Sequence, residues 1–404
     1  MAAPGGAEAL SNTIETEPDE IRIGEEPVAS GPSVALSRLR LAEFRNYRSL
    51  DVSLSSRFVV LAGENGAGKT NFLEAVSLLT PGRGLRRAAY SDILREGASG
   101  FSVRASLLSR GETLDLLTIA RAEPGAGLQR MVRINETAAR SAEELLDHLR
   151  ILWLTPAMDG LFTGPAGDRR RFLDRLVLAV DPAHGRRAAD YERAMRSRNR
   201  LLQDGRDDDS WLSGIEMQMA ELGVAIASAR SELIRLMAAM IDEAGAGSPF
   251  PQGDLRLASG YGFGEPSGAA VDVEDEVRNG LRRQRGLDRS AGRTLEGPHR
   301  ADLEVTHRAK GMPAALSSTG EQKALLIGLI LAHARLVSAV SGLSPVLLLD
   351  EVAAHLDPRR RAALFDIVEG LDVQCFMTGT DASLFEALGG RAQMIPVAGG
   401  TVSA

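Results

Sequence analysis

The stretch Gly63-Glu64-Asn65-Gly66-Ala67-Gly68-Lys69-Thr70 constrains this chain more than any other. It fits G-x-x-x-x-G-K-[ST], a loop whose glycines let backbone N–H groups turn inward around phosphates. All eight residues are therefore candidate nucleotide contacts: Lys69 can reach the β/γ-phosphates of a triphosphate, and the Thr70 hydroxyl can hold Mg²⁺. The flanks are those the loop requires. Arg57-Phe58-Val59-Val60-Leu61-Ala62 reads as a short buried strand running into it. Thr70 to Leu79 reads as a helix, with Phe72, Ala75, Val76 and Leu79 at 3–4 spacing, so its N-terminal dipole points at the phosphates. Among 47 basic residues only Lys69, Lys310 and Lys323 are lysine. A chain that otherwise uses arginine still places the compact ammonium in the loop.

The rest of the chain leaves room for a large nucleotide-dependent protein. At 404 residues it predicts about two to three domains. One cysteine, Cys375 in an apolar run, excludes an internal disulfide and suits a reducing compartment. No apolar run of membrane-spanning length and no basic-then-apolar leader is apparent, so the expectation is a cytoplasmic protein with no membrane partner. Net charge is −7, but seven acids stand against one arginine between Met1 and Ser33. The body is thus close to neutral, with bunched arginines that suit either a phosphate backbone or solvated helix faces. Charge alone does not decide.

In chain order, 1–33 reads as a disordered acidic tail and 34–175 as the N-terminal part of an α/β ATPase head. Val34 to Phe44 reads as an edge strand leading to Arg45-Asn46-Tyr47. Pro81 to Arg87 is a Gly/Arg-rich segment expected to act as a mobile lid. Phe101 to Ser109, Leu114 to Ala120 and Arg130 to Ile134 alternate as an antiparallel meander, and Ile151-Leu152-Trp153-Leu154 is a short buried strand. Long helices follow at Asp168 to Val180, Pro182 to Leu202 and Trp211 to Asp242, with arginine-rich faces including Arg186, Arg187, Arg193, Arg196, Arg198 and Arg200. Residues 176–290 read as an inserted helical arm, with a strand at Leu255 to Tyr261 and a returning helix at Val273 to Arg285. The C-terminal part of the head occupies 291–404.

Val346-Leu347-Leu348-Leu349-Asp350-Glu351 is four apolar residues capped by two acids, a buried strand delivering carboxylates at its C-terminal edge. Asp350 is expected to orient Mg²⁺ and Glu351 to polarise the attacking water. Upstream, Ser317-Ser318-Thr319-Gly320-Glu321-Gln322 opens an apolar helix, either an anion site at a helix N-terminus or simply a helix cap. Its position one helix before the Asp-Glu strand is that of the signature loop of ABC-type ATPases. Ala354-His355-Leu356-Asp357 stands where those proteins carry a D-loop, and the strand ending Thr378-Gly379-Thr380-Asp381 where they carry a switch. In that layout the signature of one subunit completes the phosphate loop of another, so Ser318, Thr319, Gly320 and Thr380 become nucleotide contacts in a head-to-tail, ATP-dependent homodimer.

This order of motifs resembles the SMC-type ABC ATPases, and within them the RecF family of bacterial DNA replication and repair proteins. Leu39 to Tyr47 looks like that family's opening strand, which makes Arg45 a further candidate nucleotide contact. Gly164 to Asp174 resembles its G-x-P-x-x-R-R-x-F-L-D segment with the proline one place early, and Arg198-Asn199-Arg200-Leu201-Leu202 matches R-N-x-L-L. Gly297-Pro298-His299-Arg300-Ala301-Asp302-Leu303 is similar to G-P-H-R-D-D-L, with Ala301 where an acid is common. Thr319, Glu321 and Thr380 replace the usual signature Gly, signature Gln and switch His, which implies slow hydrolysis used as a timer. The resemblance implies ATP-dependent binding at gaps and single/double-strand junctions of DNA, and recombinase loading with recombination mediator proteins. Arg86, Arg87, Arg170, Arg187 and Arg196 are the candidate DNA contacts, unless they pair with neighbouring acids. His299 and Arg300 can face nucleotide or partner, or serve structure alone. A transporter nucleotide-binding subunit, an SMC-like structural ATPase and a small-molecule kinase are the rival classes.

Overall fold

The computed structural model describes residues 32–123, 127–205, 209–245, 247–264 and 268–402; the acidic tail expected over 1–33 lies outside them apart from Pro32 and Ser33. The chain opens with β1 (Val34–Phe44), β2 (Tyr47–Ser53), β3 (Phe58–Ala62), α1 (Lys69–Ser77) and the short α2 (Tyr90–Ile93). A meander follows: β4 (Gly100–Ser109), β5 (Glu112–Glu123), β6 (Gly127–Ile134) and β7 (Thr137–Ala138), then β8 (Ile151–Leu154). Helices α3 (Ala166–Val180), α4 (His184–Gln203) and α5 (Asp209–Glu243) come next, then β9 (Gly253–Ala258) and α6 (Ala270–Ala291). The chain closes with β10 (Asp302–His307), β11 (Met312–Pro313), α7 (Thr319–Ser341), β12 (Val346–Leu349), α8 (Pro358–Gly370), β13 (Cys375–Gly379), β14 (Ala392–Ala398) and β15 (Thr401–Val402).

The central sheet has the order β15-β14-β3-β13-β12-β8, parallel throughout except for the β15 hairpin. Its strands are continuous apolar runs because both faces are covered. Alternate residues feed two different cores. Phe58, Val60, Leu152, Leu154, Leu347, Leu349, Cys375 and Met377 face helices α3, α5, α7 and α8. Val59, Leu61, Ile151, Trp153, Val346, Leu348 and Phe376 face α1 and the antiparallel sheet. At roughly 25 cal/mol per Å² of apolar surface buried, this double layer is the dominant stabilising term.

The antiparallel sheet has the order β2-β1-β4-β5-β6-β7, so β1 is an interior strand and not the edge strand its sequence predicts. The reason is a bulge between Leu36 and Arg38. It resets the alternation, so that Val34, Leu36, Leu39, Leu41 and Phe44 all point into the core while the strand pairs on both sides. Helix α7 also departs from expectation: it is long and apolar enough to cross a membrane, with 67% of its most apolar window buried inside the fold. It is a core helix, and its buried His333 sets Nε2 on the carbonyl of Leu176 at 3.0 Å.

Helices α4 and α6 and the N-terminal half of α5 share a third apolar cluster, including Tyr191, Ala194, Met219, Val224, Val277 and Leu281. The C-terminal half of α5 joins the head core through Leu233, Met237 and Ile241. The strand expected to reach Tyr261 stops at Ala258, where Ser259 and Gly260 (φ 81°) turn the chain. Helix α6 runs unbroken through Gly280.

Candidate ATPase site and arginine surfaces

The candidate phosphate loop leaves the C-terminal end of β3 in the middle of the parallel sheet and feeds α1. Two of its glycines are required by the packing. A Cβ on Gly63 would lie 2.2 Å from the carbonyl oxygen of Val397, and Gly68 caps α1 at φ 118° against the Asn46 side chain. Lys69 is buried, and its Nζ donates to the carbonyls of Gly63 and Glu64 at 2.7 and 2.8 Å, which places the ammonium inside the loop. The turn between β1 and β2 braces the loop from outside. Asn46 Nδ2 donates to Ala67 O and the Tyr47 hydroxyl to Gly68 O, at 3.1 and 3.0 Å.

Parallel register brings the other half of the site to the same edge. Leu349 of β12 pairs Met377 of β13, so the next residues, Asp350 and Thr378, lie side by side. Both the Thr378 and Thr70 hydroxyls donate to Asp350 Oδ1, at 2.8 and 3.0 Å. The Glu351 amide in turn donates to Thr378 Oγ1 at 2.8 Å. Burial pushes the Asp350 carboxyl above its ordinary range, opposed by those two hydroxyl donors. Glu351 is half-buried and sits at φ 56°, a costly conformation for a residue with a side chain, held here by the Thr378 contact. Thr378, which sequence reasoning left out, is thus the joint between the two acids. The signal for it is a hydroxyl at the end of an apolar strand, readable only once β12 and β13 are known to be neighbours. Thr380, the expected switch, is exposed two residues beyond.

The donors fit ATP with Mg²⁺. Inward-facing backbone, a buried lysine and a helix N-terminus suit phosphates. The Thr70 hydroxyl beside the Asp350 carboxylate is a hard-oxygen pair. Among the described residues no group of three or more His, Cys, Asp or Glu could hold a metal. That is the situation for Mg²⁺, which takes one or two protein oxygens and fills its remaining positions from phosphates and water.

Arg45 is placed beside α1 and not in the loop. Its guanidinium grips both oxygens of the fully buried Glu74 at 2.9 Å each and donates to the Asp92 carbonyl. Arg86 shares Glu74 at 3.2 Å and Asn71 at 2.6 Å. The signature segment lies at the N-terminus of α7 with Ser318, Thr319 and Gly320 exposed. Ser318 and Glu321 form a capping box, and Glu321 is pulled down to about 2, first by Lys310 and then by the Ser318 amide and hydroxyl. Ser318 hydrogen-bonds within this box and to nothing in residues 63–70.

The candidate DNA-contacting arginines separate sharply. Arg187 pairs with Asp181 at 2.6 Å, and Arg170 donates to the Ala301 carbonyl at 2.7 Å. Arg196 is exposed and, among the described residues, holds only Glu192, one turn away, at 3.5 Å. Arg198, expected on an arginine-rich face, is fully buried and bonds Glu216, Asp288, Thr294 and the Leu281 carbonyl. It takes a place in the inward stripe of α4 between Ala194 and Leu202, which is why the two buried acids come with it. His299 is a structural residue: Nδ1 meets the Tyr191 hydroxyl, Nε2 meets the Thr294 carbonyl, and burial lowers its pKa. The segment expected as a mobile lid is fastened at its start, because Arg130 donates to the carbonyls of Leu78, Thr80 and Gly82.

The RecF/RecN/SMC N terminal domain family matches residues 35–401. Over 368 residues the chain is 60% identical to the DNA replication and repair protein RecF of Mesorhizobium japonicum, covering 91% of this chain and 97% of that protein. The chain belongs to the RecF family. RecF-family membership agrees with the fold. The solved structure of the recombination mediator protein RecF-ATPrS in the RecFOR pathway superposes with a TM-score of 0.80 at 22% identity, covering 92% of this chain and 98% of that one. The RecF-ATP structure of the same pathway gives 0.78 at 23% identity, covering 92% and 99%. The ABC-type, SMC-like ATPase fold expected from the motif order is therefore the fold of this protein.

Proposed function

We propose that this RecF-family protein binds ATP at residues 63–70, pairs with a second copy around two ATP molecules, and in that state holds DNA at gaps or single/double-strand junctions. The observation that carries the reading is the convergence of Lys69, Thr70, Asp350 and Glu351 on one sheet edge through Thr378, while the signature residues stay exposed at another helix end. Each copy then lacks the donors that Ser318, Thr319 and Gly320 of the other would supply. Solved relatives of the same fold, described as RecF-ATP and RecF-ATPrS, support ATP as the nucleotide.

Lys69 steadies the β/γ-phosphates, and Thr70 and Asp350 are the residues that would hold Mg²⁺. Held there, Mg²⁺ would supply charge neutralisation on the phosphates. Glu351, aimed by the hydrogen bond that its backbone amide donates to Thr378 Oγ1, takes the proton of the attacking water. Without a switch histidine at Thr380, hydrolysis is slow and ends the ATP-bound state. DNA contact falls to the exposed arginines of the 176–290 arm. Arg196, with a single weak helical partner, exchanges it for a phosphate at little cost, whereas Arg86, Arg170 and Arg187 are engaged. Helix α5, at 35 residues about 50 Å long, is too short for the long coiled coil of a structural SMC protein. A cytoplasmic setting and recombination mediator proteins as partners complete the proposal.

Sedimentation of Glu351→Gln with ATP, with ADP and with neither, each repeated with gapped DNA, tests it. A dimer with ATP alone, carrying the DNA, is the expected result. An ATP dimer that ignores DNA would remove the DNA half, and no ATP-dependent dimer would remove the whole reading.

A further inference from the structure

A cleft of about 590 Å³ opens between the Pro81–Arg87 segment, β8 and helices α3 and α4. β8 is the last strand of the parallel sheet, so among the described residues its outer edge pairs with no strand. None of residues 63–70 lines the cleft. One wall is apolar, formed by Ile151, Trp153, Phe172 and Leu178. Against it stand Arg87, Arg150 and Arg175, and among the described residues none of the three forms an ion pair with a carboxylate, although Glu192 and Asp147 act from further off to favour the charges of Arg87 and Arg150.

Arg150 is the most telling. It is 6% exposed, and its buried Nε and Nη1 have no hydrogen-bond partner. Arg175 sets its guanidinium carbon over the Trp153 ring, 4.5 Å from the centroid, with the Trp153 carbonyl and the Met158 sulfur near its Nη2. Burial, and then the neighbouring Arg87, push it down to about 9. Arg87 is depressed in its turn by burial and by Arg171 and Arg83, with Glu192 opposing them, so like charges outweigh the one acid here. Two acids on the cleft are committed elsewhere, Asp168 to Arg171 and Asp174 to Arg230 and His184, while Glu192 is held only loosely by Arg196 and also acts on Arg87. His184, 1% exposed, also leaves its Nδ1 without a partner. Guanidinium groups do not escape such crowding by losing a proton, so a bound anion is what relieves it.

We propose that this cleft binds a nucleotide unit, with its phosphate among Arg87, Arg150 and Arg175 and its flat base against the apolar wall. The volume falls within the range of about 300–1,000 Å³ that small-molecule sites occupy. Several arginines beside an apolar, aromatic wall is also the composition that takes up unpaired nucleotides. The unit is either a free mononucleotide or an unpaired residue of a DNA strand.

Trp153 and Trp211 are the two tryptophans of the chain, so Trp211→Phe leaves Trp153 as the reporter inside the cleft. In that full-length background the Trp153 emission is titrated with dTMP and with a single-stranded dT oligonucleotide, using poly-glutamate as competitor. A saturable change is expected with at least one of the two. Arg150→Gln is expected to weaken it by about tenfold, as loss of a charged hydrogen bond does. Arg87→Gly, on an exposed turn at φ 55°, weakens it similarly without touching the core. Lys69→Ala leaves it unchanged, which separates this site from the phosphate loop. Response to the oligonucleotide alone assigns the unit to a strand; response to dTMP as well assigns a free nucleotide. No response to either overturns the proposal, as does a response that Lys69→Ala removes and Arg87→Gly spares. Equal displacement by poly-glutamate overturns the nucleotide assignment.

Discussion

At the scale of single residues, the site is held by a hydroxyl bridge. Thr378 accepts from the Glu351 amide and donates to Asp350, whose carboxyl is kept above its ordinary range by burial. A carboxyl whose folded pKa is raised stabilises the fold fully below its unfolded value, and that contribution is lost as pH rises through the folded value. At neutral pH the nucleotide-free protein therefore carries a charge it would be more stable without. Asp350→Asn is expected to raise stability at pH 7 by about 0.5–2 kcal/mol while abolishing ATP turnover. The gain should vanish as pH falls below the ordinary carboxylate range. Thermal melts across pH 3–8 alongside a phosphate-release assay check both halves. A variant less stable than the parent at pH 7 would mean that the two threonine hydroxyls outweigh burial. The sequence offers Lys69, Thr70, Asp350 and Glu351 as candidates because phosphate chemistry asks for those groups at fixed spacings. It does not offer Thr378, since that residue meets Asp350 across 28 positions only by the register of two strands.

At the scale of elements, one residue often answers to two demands. Ser318 caps α7, and in the proposed dimer its exposed hydroxyl would also face a second copy. Ser318→Ala removes both roles and costs about 1 kcal/mol of stability through the cap. Ser318→Asn keeps a capping oxygen, so stability should hold within about 0.5 kcal/mol while ATP-dependent dimerisation falls. Guanidinium denaturation and sedimentation with ATP separate the two effects. A Ser318→Asn protein that dimerises like the parent would take the signature segment out of the interface. Helix α4 teaches the same lesson from the other side. Its sequence is rich in arginine, yet Arg198 points inward on two buried acids while Arg196, two residues earlier, faces water. The 3–4 spacing of Tyr191, Ala194, Arg198 and Leu202 marks the inward stripe. Reading it correctly needs Glu216 and Asp288, which only folding brings there.

For the whole molecule, the phosphate loop should act as the control point of assembly. Lys69 is buried inside that loop on two of its carbonyls, and no other lysine is near it in sequence. Lys69→Ala is expected to leave the monomer folded and to abolish the ATP-dependent dimer, as read by sedimentation equilibrium. Dimers that form normally with ATP in this variant would show that assembly does not run through residues 63–70.

The sequence by itself determined the α/β class, the phosphate loop and its helix, the Asp-Glu strand, the order of motifs and the family. These are local patterns, set by phosphate chemistry and by the burial of parallel strands on both faces. Only the tertiary structure decided that β1 is interior, that Arg45 clamps Glu74, that Arg198 is core, and that Arg87, Arg150 and Arg175, without an ion pair among the described residues, line a cleft beside β8. Each of these depends on which distant acid, strand or carbonyl arrives opposite a given side chain. An arginine reads the same in sequence whether a carboxylate meets it or not, and the long-range packing settles its state.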